Sequence, residues 1–187
     1  MVAIVPLSQY LKAGRVAGFE LELISASMIF ALALGVAASF AFQRGGDAAA
    51  PEVRFATLSG KSFATSDLRG KVVLVNFWAT SCVVCVKEMP RMVETYKKYA
   101  PRGYEMVAVA MSYDHPNQVA EFANSRGLPF QVALDTDGAI AKSFGNIRVT
   151  PTTFVLDKRG RVLKQYLGEP DWAEFHDLLD KALRDPA

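Results

Sequence analysis

Cys82 and Cys85 are the only cysteines in the chain, and a spacing of three lets both sulfurs meet across the first turn of a helix. They close a buried-strand pattern and open a helical one, so Cys82 falls at a helix N-terminus. There the helix dipole and unpaired N–H groups favour a thiolate over a thiol. Cys82, nearer the end, is expected as the exposed nucleophile. Cys85, tucked under the first turn, is expected as the resolving thiol that attacks the mixed disulfide and releases product. Two other uses compete. A structural disulfide would close a four-residue loop here and stabilise little. A metal half-site needs two more ligands, whereas His115 and His176 are the only histidines and neither is paired with a cysteine. Strand, CxxC and helix within an α/β pattern favour redox chemistry, with no cofactor and no metal expected.

The strand before the pair is legible as Val72–Trp78, a near-continuous apolar run of the kind buried on both faces. After it, residues 82–99 carry helical spacing, with Met89, Met92, Val93 and Tyr96 on one face and Pro90 as an expected kink. Upstream, 53–58 and 61–65 flank Ser59-Gly60 as a short hairpin. Downstream, a strand is expected at 106–111, a helix from Pro116 to Arg126 ended by Gly127, a strand at 130–134 and a short helix ending near Gly145. Residues 152–156 and 162–167 flank a turn at Asp157–Gly160. A last amphipathic helix begins near Pro170 and is expected to bury Trp172, Phe175, Leu178 and Leu179. Alternating strands and helices closed by a hairpin imply an α/β fold with a mixed central sheet flanked by helices.

At 187 residues the chain has room for one ordinary domain and an appendage. With 21 Lys+Arg against 19 Asp+Glu it lacks the basic stripe of a nucleic-acid binder. The appendage is N-terminal. Leu23 to Gln43 holds no charged residue, and a helix of about 20 residues matches the ~30 Å core of a bilayer. A cleaved signal peptide is the rival, since Ser39-Phe40-Ala41 offers small residues at a peptidase's spacing, but the run is longer than a usual signal core. Lys12 and Arg15 precede the span and Arg44 alone follows closely, which puts the N-terminus in the cytoplasm. The expected organisation is a cytoplasmic segment 1–22, a single-pass anchor 23–43 in the inner membrane, a flexible tether 44–50 and a soluble domain 51–187. In a bacterium that domain faces the periplasm.

The motif Asn76-Phe77-Trp78-Ala79-Thr80-Ser81-Cys82-Val83-Val84-Cys85-Val86-Lys87-Glu88-Met89-Pro90, with Val149-Thr150-Pro151-Thr152-Thr153-Phe154 far downstream, resembles the membrane-anchored TlpA/ResA-like branch of the thioredoxin superfamily. The likeness covers roughly 51–187, including a helix-plus-strand insertion at 116–134. It implies a thioredoxin-like fold, a cis bond before Pro151, and a loop facing the cysteines in which Thr150 offers its backbone to substrate as an added strand. Glu88 matches an acidic residue that helps move protons in this branch. Thioredoxin's buried aspartate has Asn76 in its place here, which leaves Glu88 as the candidate base for Cys85.

Two departures bear on substrate fit. Ser81 stands where relatives usually carry tryptophan, leaving Trp78 as the expected aromatic contact for substrate, and the dipeptide between the cysteines is Val83-Val84. The resemblance implies a reductant of protein disulfides in apocytochrome c or in copper-assembly proteins of cytochrome oxidase, recharged by a membrane thiol donor. The alternatives are an oxidase that donates disulfides and a Cu(I)-binding assembly module using the CxxC.

Overall fold

Seven strands and four α-helices make up the described part of the chain, residues 48–186 of a computed structural model. In chain order they are β1 (Arg54–Ala56), β2 (Ser62–Ala64), β3 (Val72–Trp78), α1 (Val83–Tyr99), β4 (Tyr104–Ala110), α2 (Pro116–Arg126), β5 (Gln131–Leu134), α3 (Ala139–Ser143), β6 (Thr152–Leu156), β7 (Val162–Leu167) and α4 (Trp172–Arg184). β1 and β2 form the small hairpin, and the other five strands pair in the order β5-β4-β3-β6-β7. β3 runs parallel to β4 and antiparallel to β6, so the sheet is mixed as expected.

β3 is central, and all seven of its residues are buried. A strand's period of two divides them between two cores. Val72, Leu74 and Trp78 face Met89 and Met92 of α1 and Phe175 and Leu179 of α4. Val73, Val75 and Phe77 face Ile140, Phe144 and Phe154. Asn76 sits in the first series, so the one polar residue of the strand is turned toward α1. That placement organises the site.

Several boundaries differ from the sequence expectation. β4 starts at Tyr104 because Tyr104 and Glu105 pair with Val72 and Val73. α1 runs unbroken through Pro90, which is exposed. In α4, Asp171 caps the helix by accepting the Glu174 N–H at 2.9 Å, and the buried stripe is Phe175, Leu179 and Ala182. Trp172 and Leu178 flank that stripe and are only half-buried. Ala48–Ala50, the end of the expected tether, lie along the β6–β7 turn: Ala50 N–H donates to the Gly160 carbonyl and Val162 N–H to the Ala48 carbonyl, both at 2.8 Å. Among the described residues no helix is long and apolar enough to cross a membrane. The segments 1–22 and 23–43 lie outside the described residues.

Candidate active site

The C-terminal ends of the parallel strands β3 and β4 release two loops side by side, and the first carries Cys82. Met111 N–H on the Trp78 carbonyl, at 3.0 Å, keeps the loops together as the ladder ends. Asp114, buried at the end of the second loop, then accepts from both the N–H and the hydroxyl of Thr80, each at 2.6 Å. A carboxylate taking two donors from one residue is a strong clamp, because charged acceptors shorten and strengthen hydrogen bonds. It fixes the turn two residues before the nucleophile. No local spacing in the sequence betrays this contact, whose partners lie 34 positions apart. Thr80→Val keeps the N–H bond but strands one carboxylate oxygen. Denaturant unfolding of the oxidised protein is expected to show a loss of about 1–3 kcal/mol, with Thr80→Ser close to the parent.

Cys82 caps α1 in an extended conformation, and its sulfur accepts the Cys85 N–H at 3.2 Å. That bond points a helix-terminal donor at the sulfur on which negative charge develops when the pair opens. The two cysteines are joined as a disulfide with Cα atoms 5.3 Å apart. Cys82 is half-exposed and Cys85 fully buried, the asymmetry that an attacking and a resolving thiol require.

Glu88 lies one turn below Cys85 and is 1% exposed. Asn76 Nδ2 donates to its Oε1 at 3.4 Å and to Thr153 Oγ1 at 2.9 Å, joining α1, β3 and β6 in one buried polar group. Burial raises the Glu88 pKa to about 8, with the Asn76 bond working against the rise and the charge of Glu169 adding to it. Two acceptors in this pocket, Asn76 Oδ1 and Glu88 Oε2, meet no donor among the described residues. A proton on Glu88 supplies a donor where acceptors otherwise crowd, the same preference for the neutral acid that burial imposes.

The Thr150–Pro151 bond is cis, as the resemblance implies. β6 pairs Thr152 with Phe77, so one register step further sets Pro151 beside Trp78 at the end of β3 that leads to Cys82. Pro151 is itself buried, while Thr150 is half-exposed and Val149 exposed. Contact with an incoming chain on this loop therefore falls to residues 149 and 150. The Thr150 hydroxyl lies 3.4 Å from that of Tyr113, which is also exposed.

Trp78 corrects the sequence expectation. It is 0% exposed and packs on Phe122 of α2 with ring centroids 5.2 Å apart, so it has no surface to offer a substrate. Strand alternation turns it into the α1 core, and the insertion helix closes over it. The exposed apolar residues at this end of the sheet are instead Val83, Val84, Tyr113, Val149 and Leu167.

The sequence pattern of the Redoxin family matches residues 44–181. The chain belongs to that family. It is 39% identical over 132 residues to the thiol-disulfide oxidoreductase ResA of Bacillus thuringiensis (strain Al Hakam), a match covering 71% of this chain and 75% of the relative. To ResA of Bacillus subtilis (strain 168) it is 36% identical over 131 residues, covering 70% and 72%. The crystal structure of a thiol:disulfide interchange protein of the thioredoxin family from Chlorobium tepidum TLS superposes with a TM-score of 0.67 at 32% identity, covering 73% of this chain and 97% of that one. This family member thus has a thioredoxin-like fold, stands in the TlpA/ResA-like branch, and is a thiol–disulfide oxidoreductase working by dithiol/disulfide exchange.

Proposed function

We propose that the chain is a membrane-anchored reductant whose soluble domain faces the periplasm and opens disulfides in apocytochrome c or in copper-assembly proteins of cytochrome oxidase. The observation that carries the chemistry is an accessible Cys82 joined to a buried Cys85, with the buried Glu88 carboxyl, its pKa raised, one turn below. The charge-free run from Leu23 to Gln43 and the Lys12 and Arg15 pair before it support the anchor and its orientation. The TlpA/ResA-like motif supports the substrate class.

In the reduced protein the Cys82 thiolate attacks one sulfur of the substrate disulfide. A mixed disulfide forms and the other substrate sulfur leaves as a thiolate. Cys85 passes its proton to ionised Glu88 and attacks the Cys82 sulfur. The 82–85 bond re-forms, the second substrate thiolate leaves, and two electrons have moved to the substrate. A membrane thiol donor restores the dithiol. Thr150 offers backbone groups to the substrate strand, and the cis Pro151 bond shapes the loop that presents them.

The test is the reduction potential of the Cys82–Cys85 pair, equilibrated against glutathione or dithiothreitol buffers. A value near or below about −220 mV supports a reductant, and one near about −120 mV makes the protein a disulfide donor instead. Substrate class is read by comparing an oxidised CxxCH peptide, the haem-attachment pattern of c-type cytochromes, with an unrelated disulfide peptide; equal rates on the two would remove the cytochrome assignment.

A further inference from the structure

Cys82 has a second flank besides the cis-proline loop. β6 pairs with one side of β3 and β4 with the other, so the Thr150–Pro151 loop stands on one side of the nucleophile and α2, which follows β4, on the other. Between the turn that carries Cys82 and α2 lies an open groove of about 500 Å³, lined by Thr80, Ser81, Gln118, Glu121 and Phe122. Phe122 and Arg126 line this groove and also a recess of about 310 Å³ between α1 and α2, whose apolar walls are Val86, Met89, Pro90, Val93 and Leu128. Glu94 and Lys97 complete the lining of the recess. The two form one path from the residue beside the reactive sulfur into an apolar pocket. Pro90 is exposed and Val86, Val93 and Leu128 are half-buried, so this face of α1 is apolar without being covered. The Phe122 ring that covers Trp78 also lines the waist of the path, with the Arg126 guanidinium 5.5 Å from its centre. Arg126 makes no ion pair among the described residues.

We propose that this path is a specificity groove for the substrate polypeptide, and that the recess between α1 and α2 takes one bulky apolar side chain near the substrate cysteine. The inference deepens the exchange reading: it rests on attack by Cys82 on a polypeptide disulfide, and on no particular substrate. What assigns the groove to substrate is its mouth. Ser81 directly precedes the reactive sulfur, so a chain bonded to Cys82 leaves it either across Thr150 or across this opening. Arg126, at the waist, has N–H donors for the carbonyls of an extended chain passing over it. Spacing then fixes which side chain is read. The recess is centred on the stretch from Val86 to Val93, and at 1.5 Å per helical residue that centre lies about 11 Å along α1 from Cys82. An extended chain rises about 3.3 Å per residue and covers that length in three or four residues. The favoured substrate therefore carries leucine, phenylalanine or a side chain of similar bulk three or four residues from its cysteine, on one side only.

The test uses the reduced full chain and a set of Gly/Ser peptides, each with one cysteine held as a mixed disulfide with 2-nitro-5-thiobenzoate. Cys82 attacks the peptide sulfur, the coloured nitrothiobenzoate leaves as the thiolate, and Cys85 then releases the peptide thiol as the 82–85 disulfide forms. A single leucine is moved from one to six residues away from the cysteine on either side. Leucine at the third or fourth position on one side is expected to raise kcat/KM by about 10-fold or more over the leucine-free peptide. A profile flat in leucine position overturns the proposal. Val93→Glu and, separately, Leu128→Asn are expected to abolish the leucine preference while leaving the rates on the leucine-free peptide and on 5,5′-dithiobis(2-nitrobenzoate) at the parent's values. A preference that survives both substitutions places the side chain elsewhere and overturns the assignment. So does a dimer of the parent in sedimentation that Val93→Glu dissociates, which would give the recess to a second copy of the chain. The cytochrome and reductant readings fail separately, on the CxxCH comparison and on the potential, because these peptides contain no CxxCH and report only where the leucine sits.

Discussion

Replacing Cys82 by serine is expected to slow reduction of a disulfide substrate by about 10³-fold or more, because no other thiol in the chain can make the first attack. The half-exposed sulfur is the one a substrate can reach, and it alone sits at the helix terminus with a donor aimed at it. Cys85→Ser separates the two roles. Cys82 can still attack, but nothing resolves the product, so the substrate stays linked to Cys82 through a mixed disulfide. Non-reducing electrophoresis and mass spectrometry read this directly: an adduct of protein plus substrate with Cys85→Ser and none with Cys82→Ser. An adduct on Cys85 in the Cys82→Ser protein would reverse the assignment. Both variants lose only a bridge over a four-residue loop, so loss of activity is expected without large loss of fold.

What could be read from the residues follows how local each signal is. β3 has the bounds its near-continuous apolar run announces, since a strand buried on both faces is apolar at almost every position and has nothing to alternate with. The placement of the cysteines follows from that strand's end and the helix after it. Side-chain direction is a different matter. Sequence spacing marks Trp78 as an aromatic neighbour of the motif, yet it is covered by Phe122, 44 residues later, on a helix whose docking no local pattern states. Glu88 sits between Lys87 and Met89 and has the surroundings of a surface residue. Its burial becomes visible only once β3 is known to turn Asn76 toward α1. Asp114 is missed for the same reason: it acts through a loop that meets the motif only in three dimensions.

Glu88 also makes the stability of the protein depend on pH, with a sign opposite to that of a salt-bridged carboxylate. Unfolded, its carboxyl titrates near the ordinary 4.5; folded, burial holds it neutral up to about 8. Below pH 4.5 both states are protonated and the group's contribution is fully present. As pH rises the unfolded chain ionises first, which favours unfolding, and the contribution is lost progressively until the folded form ionises near pH 8. Each unit of separation is worth about 1.4 kcal/mol, so the loss across this window reaches about 5 kcal/mol. Glu88→Gln removes the ionisation while keeping the shape and an acceptor for Asn76. Urea unfolding of the oxidised parent and variant, compared at pH 5 and pH 8, is expected to show the variant gaining stability relative to the parent as pH rises, with most of the gain in place by pH 8. A difference that stays flat over this range would mean Glu88 is ionised in the folded protein at pH 5. The same raised pKa suits the ionised form of the group to its proposed work. A free thiol ordinarily ionises near 8.5, and a carboxyl brought to about 8 accepts that proton with little energetic mismatch, whereas an exposed glutamate is too weak a base by about four units. Under the proposed exchange step, the stability lost on burying Glu88 and the base strength offered to Cys85 are two consequences of one desolvated carboxyl.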